Sequence, residues 1–349
     1  MTRAFRSGRR PSQDTASRAS DPAAKARAEV TPPAGWRRGI LALCLTVITA
    51  CETAAPVTSP PPATRPEPQI PAPRAVPGDA SRKLSAHYTR VERDLRTQGL
   101  LRQDGGGPDT PYNARQLTEN FLRIALYDEY VSRAGTLVAE QTESRLRRWE
   151  QPVRVQVSFG ETVPDAQRRT DRRNIDSYVK RLADVSGHPI STTGGTGNFQ
   201  VLVLNEDERP TYGDTLRRMI PGIDPTAVRT IETMTEDTFC LVFAFSRGTD
   251  SAYTRAVAVI RGEHPDLLRL SCIHEELAQG LGLANDSPRA RPSIFNDDEE
   301  FGLLTTQDEM MLRMLYDDRL RPGMSLAEAR PIAKTIAEML KLWSEQRLR

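Results

Sequence analysis

An α+β fold with a mixed sheet is predicted by three observations. Helical periods come early, with Leu84, Tyr88, Val91 and Leu95 recurring three and four residues apart. Short apolar or alternating runs then follow between Val153 and Ile260, which is the pattern of strands. After them comes the central helical stretch Ser271-Cys272-Ile273-His274-Glu275-Glu276-Leu277-Ala278-Gln279-Gly280-Leu281-Gly282-Leu283, with two further helical periods behind it. Helices at both ends and strands between them place the chain in the α+β class, built as N-terminal helices, a sheet, an active-type helix and C-terminal helices.

The chain has 349 residues, 48 Lys+Arg against 46 Asp+Glu, and 38% hydrophobic residues. That charge balance gives no reason to expect a nucleic-acid partner. Residues 1–35 are polar, rich in Arg, Ala and Ser, and lack an apolar period. They are either a disordered extension or the product of a start placed too far upstream, with Val30 as the true initiator. Residues 36–50 read as a lipoprotein signal peptide. Arg37-Arg38 precede a mostly apolar run from Ile40 that is too short for a bilayer, which takes roughly 20 residues. Ile48-Thr49-Ala50-Cys51 resembles a bacterial lipobox. The resemblance implies cleavage before Cys51, acylation of its thiol and new amine with fatty acids such as palmitate, and a membrane anchor facing the periplasm. Glu52, not Asp, stands in the next position, which by resemblance to enterobacterial sorting implies the outer membrane. Residues 51–80 form a tether: nine prolines between Glu52 and Ala80 favour an extended chain of up to roughly 90 Å.

Of four cysteines, Cys44 leaves with the signal and Cys51 takes lipid. Cys240 and Cys272 remain, an even pair in an oxidising compartment, and a disulfide between them is expected. The alternative is two buried free thiols.

A single globular domain is expected over 81–349. Its first helix ends near Gln98-Gly99, and Gly105-Gly106-Gly107-Pro108 is a loop. Leu117, Phe121, Ile124, Ala125 and Leu126 predict a helix from Ala114 to Tyr130. A third helix is expected from Gly135 to Trp149. Val153–Phe159 alternates and predicts a half-buried strand. Arg172 to Val185 reads as a helix with Ile175, Val179 and Leu182 inward. Phe199–Leu204 is a strand. Phe239–Phe245 is continuously apolar, which predicts a central place in the sheet beside Ala256–Ile260. The central helix is expected to start near Asp266 as N-cap, after Pro265. Thr305 to Leu315 and Ser325 to Trp343 close the chain, the latter opening on the capping box Ser325-x-x-Glu328.

The central stretch carries the chemistry. Zinc proteases place two histidines at i and i+4 on one helix face, with a glutamate at i+1 as general base. If His274-Glu275 begins that motif, the second ligand place is Ala278, which cannot bind metal. If Gly282 is the helix-ending glycine of H-E-x-x-H-x-x-G-x-x-H, the ligand places hold Glu275, Gln279 and Asn285, beside Asp286, and Glu276 takes the base place. Pro292-Ser293-Ile294-Phe295 resembles the metzincin Met-turn, and Leu304 to Tyr316 resembles the last metzincin helix. Over 199–316 the layout is thus similar to a metzincin without its histidines. Gln and Asn carbonyls are poor zinc donors, so no metal and no cofactor is expected. The plain alternative is an amphipathic surface helix with Glu275, Glu276 and Gln279 outward. The chain also resembles an uncharacterised alpha-proteobacterial lipoprotein family, domain of unknown function 2927. The resemblance rests on Glu275-Glu276-x-x-Gln279-x-Leu281-Gly282-Leu283, Asn285-Asp286-Ser287, Ser293-Ile294-Phe295-Asn296, Asn120-Phe121 and Arg148-Trp149. It brings no activity with it.

Other features read as structure. Gly194-Gly195-Thr196-Gly197 is a turn, because a strand and no Lys-Ser/Thr follows it. His188 and His264 are loop residues, His87 lies on a helix surface, and Asp297-Asp298-Glu299-Glu300 is a solvated acidic loop. The first functional expectation is a lipid-anchored envelope protein that binds or scaffolds an envelope protein or peptide through a groove formed by His274, Glu275, Gln279, Asn285 and Asp286. The alternative is a divergent metal-dependent hydrolase using Glu276 as general base. A third reading is a purely structural envelope protein.

Overall fold

The computed structural model describes residues 75–133 and 136–347. The expected signal peptide, Cys51 and most of the tether lie outside these residues. Eight helices and a mostly parallel sheet confirm the α+β class among the described residues. The helices are α1 (Asp79–Thr97), α2 (Ala114–Ala125), α3 (Asp165–Ser186), α4 (Gly213–Met219), α5 (Pro225–Glu232), α6 (Asp266–Leu281), α7 (Thr306–Leu315) and α8 (Leu326–Arg347). The strands are β1 (Tyr127–Arg133), β2 (Thr136–Glu143), β3 (Arg148–Trp149), β4 (Val153–Phe159), β5 (Ile190–Thr192), β6 (Phe199–Leu204), β7 (Cys240–Ser246) and β8 (Ala252–Arg261). None of the described helices is long and apolar enough to cross a membrane.

The sheet runs β5-β4-β6-β8, all parallel, and β3 also joins β8 in parallel. The register sets Val155 opposite Phe199 and Phe199 opposite Ala256. Helix α3 is the crossover that parallel β4 and β5 require. Strand β7 is the exception. It runs antiparallel to β8 and pairs with no other described strand, so the central position expected for Phe239–Phe245 is corrected to an edge. Its apolar run has a different cause. Cys240, Val242 and Ala244 face the main core, while Leu241 and Phe243 join a second cluster with Leu216, Val228 and Ile231 of α4 and α5. An edge strand covered on both faces has the composition of a central one.

The stretch read as helical over Gly135–Trp149 is instead strands β2 and β3, and α2 stops at Ala125 rather than Tyr130. Tyr127–Arg133 and Thr136–Glu143 pair as a two-stranded antiparallel ribbon. Leu, Ala, Glu and Gln in this stretch favour helix locally, but the pairing of β1 with β2 decides the outcome. Two helices in the Asn205–Phe239 connection, α4 and α5, were not anticipated. Asp224-Pro225 was their signal: Asp224 caps α5 through Thr226 N–H at 2.7 Å, with Pro225 in the first turn.

Candidate functional site

Helix α6 lies in the middle of the main core. Glu275, Glu276, Gln279 and Asn285 are 2%, 0%, 2% and 0% exposed. The surface-helix alternative is therefore corrected: the polar row faces protein, not water. Close approach to the sheet is made by Gly280, where a Cβ would sit 2.7 Å from Phe199 Cε1.

Both ends of α6 are held by side chains from distant elements. A helix leaves its first N–H and last C=O groups without internal partners. The expected N-cap, Asp266, is the first helical residue instead and pairs with Arg269 at 2.7 Å. Glu92 of α1 replaces it by accepting from Leu268 N–H at 3.0 Å, placing a carboxylate at the positive end of the helix. At the other end Trp149 Nε1–H donates to Gly280 O and Tyr316 OH to Leu281 O, both at 2.9 Å. Gly282 ends the helix at φ +127, and a Cβ there would collide with Arg147 O.

The chain after α6 folds back along it. Ala284 and Asn285 N–H bond Ile124 O, and Ser287 N–H bonds Phe295 O at 2.8 Å. Gln279 Nε2–H donates to Asp286 Oδ1 at 2.9 Å, so the structure brings these two expected residues together. Asn285 turns its amide to Arg123 O at 2.9 Å instead. His274 points elsewhere again. Its ring stacks on Tyr178 at 3.9 Å, its Nδ1 accepts Leu304 N–H at 3.1 Å, and its carbonyl accepts Tyr178 OH at 2.7 Å. Burial, with the Arg181 charge nearby, pushes its pKa down to about 3, so the imidazole is neutral. Tyr178 is a residue that sequence reasoning missed. It falls on the apolar side of α3, where an aromatic carries no separate signal.

Asp308 anchors the returning segment. It accepts Ser293 OH at 2.5 Å, Ile294 N–H at 3.1 Å and Thr305 OH at 2.8 Å, and it forms the capping box of α7 with Thr305. Burial outweighs these donors and raises its pKa to about 6. Asn120 donates to Gln307 Oε1 at 2.9 Å, and Gln307 donates to Pro292 O at 2.8 Å. Leu101 and Glu299 close the arrangement: Leu101 N–H donates to Glu299 O at 2.8 Å. Both have left-handed backbones (φ 58 and 62), strained for such side chains. Glu299 is buried, which corrects the solvated reading of that acidic loop for this residue. Glu300 instead pairs with Arg102 and Arg291.

The expected disulfide is present. Cys240 of β7 bonds Cys272 of α6, and His264 lies beside it with Nδ1 3.7 Å from Cys272 Sγ. His264 is buried against Tyr88 and Phe239.

A zinc ion does not fit the residues at the three ligand places. Gln279 and Asn285 spend their amide N–H groups on Asp286 and Arg123 O and offer only neutral carbonyl oxygens, that of Asn285 buried without a hydrogen-bond partner, and only Glu275 brings a carboxylate. Among the described residues no group of three His, Cys, Asp or Glu is spaced to hold a metal.

Fold and site together define an α+β domain organised around a buried polar helix that is braced from both ends. The chain belongs to the family of proteins of unknown function DUF2927, whose model matches residues 114–335. No curated protein matches it.

Proposed function

We propose that this is a lipid-anchored cell-envelope protein, facing the periplasm, whose metzincin-like domain binds or scaffolds an envelope protein or peptide and does not hydrolyse it. The observation that carries the non-hydrolytic half of this reading is the internal engagement of the α6 row. Gln279 is held by Asp286, Asn285 by Arg123 O, and His274 by Leu304 N–H. The side chains at the second and third ligand places offer only neutral amide oxygens, which are poor zinc donors, so Glu276 has no metal-activated water to serve. The anchor is supported by the lipobox ending at Cys51 and by the oxidised pair Cys240–Cys272, which suits an exported domain.

Two measurements test it. Palmitate labelling should vanish in Cys51→Ala, and label retained at the wild-type level would remove the anchor. The protein purified without chelator should carry zinc far below stoichiometry, and Glu276→Gln should leave its biological role intact. Stoichiometric zinc, with chelator-sensitive proteolysis abolished by Glu276→Gln, would promote the hydrolase reading instead.

A further inference from the structure

The outer face of α3 carries an unusual charge. Between Asp165 and Lys180 the outward ionisable residues are Arg168, Arg169, Arg172, Arg173 and Lys180 against Asp165 and Asp176, a net of +3, while Asp171 turns inward to Arg269 at 2.8 Å. Arg169, Arg172 and Arg173 are exposed and lie three and four residues apart, on one side of the helix. No carboxylate partners them among the described residues. They do not sit in the last turn, where a helix dipole would favour cations. The ring of Phe159, half-buried at the end of β4, lies under two guanidinium groups, 4.9 Å from Arg172 and 5.8 Å from Arg168.

The start of α3 adjoins the point where the upstream chain enters the domain. Gly78 N–H donates to Asp207 Oδ2 at 2.5 Å, and the next residue, Glu208, accepts Thr162 N–H at 2.5 Å. Arg168 then donates to Gly160 O at 2.5 Å. A short path of contacts thus joins the end of the proline-rich stretch to the first turns of α3.

We propose that the arginine face of α3 docks on the anionic lipid surface to which the chain is anchored. The inference rests on the anchor reading. It adds to the anchor a second, electrostatic contact that orients the domain. Charge complementarity selects the partner, and an aromatic ring among cations suits the headgroup level of a bilayer.

The test uses the mature chain from residue 51 onward with Cys51→Ser, so that no acyl group contributes. Three arginines at an anionic surface are worth about 100-fold in affinity. The chain should therefore sediment with vesicles of phosphatidylglycerol and phosphatidylethanolamine, and not with phosphatidylcholine vesicles. Binding should weaken with salt, and Arg169→Glu/Arg172→Glu/Arg173→Glu should lower it by at least about 100-fold while leaving the thermal melt unchanged. Equal sedimentation of wild type and triple variant overturns the proposal. So does retention by a soluble anionic glycan without any binding to anionic vesicles. Loss of palmitate dependence at Cys51 would instead strike the anchor reading, and the two failures are distinguishable.

Discussion

His274 and Asp308 are buried ionisable groups whose proton equilibria pull stability in opposite directions. His274 stays neutral in the fold down to about 3, whereas an unfolded histidine protonates at 6.5. Its contribution is complete above pH 6.5 and is lost as pH falls towards 3, by roughly 5 kcal/mol in all. Asp308 has its pKa raised from 3.8 to about 6, so the fold holds its proton more tightly than the unfolded chain does. Its contribution is complete below pH 3.8 and is lost as pH rises through 6, by roughly 3 kcal/mol. Between pH 6 and 4 the two slopes nearly cancel. Urea denaturation against pH should therefore show Asp308→Asn losing stability from about pH 6 downward, and His274→Gln gaining it over the same window. Parallel profiles for both variants and wild type would refute this account. The residues that make this balance were half visible in the sequence. His274 and Asp308 stand in recognisable motifs, but His274 is packed by Tyr178 and Leu304 and Asp308 is enclosed with Ser293 and Ile294, contacts that no local pattern pairs with them.

At the scale of elements, the sequence was most legible where one period ran long enough. Helices α1, α3, α6, α7 and α8 and strands β4, β6 and β8 follow from spacing and caps. The β1–β2 ribbon did not, because its residues are good helix formers and only cross-strand pairing makes them strands. The sequence predicts β7 as a strand but not its place, because helices on both faces make an edge look central. Motif spacing marks the row Glu275, Glu276 and Gln279 but not its burial, because a polar row on a helix ordinarily marks its wet side. Gly280 lets helix α6 lie close to β6. Gly280→Ala should push a methyl into the Phe199 ring and lower stability by roughly 1–3 kcal/mol, read as a lower urea midpoint with an unchanged slope. An unchanged midpoint would mean that the helix has room to move away.

At the scale of the molecule, the Cys240–Cys272 bond fixes the edge of the sheet to the central helix and closes a loop across 32 positions. The chain-entropy model values such a loop at about 3–4 kcal/mol. Cys240→Ser/Cys272→Ser should lose about that much in denaturant unfolding. A loss below about 1 kcal/mol would show that packing alone holds β7 to α6. Helix α1 lies outside the family match at 114–335, but it is built into the same core. Tyr88 donates to Glu236 O at 2.8 Å and packs on His264, and Glu92 holds the first turn of α6. These contacts have a mechanical consequence. A tensile load arriving along the chain at residue 75 passes into α1, and through Tyr88 and Glu92 into the helix that bears Glu275 and Glu276. Pull on the chain ahead of α1 is resisted by the hydrophobic core, so tension and the packing of that helix are coupled.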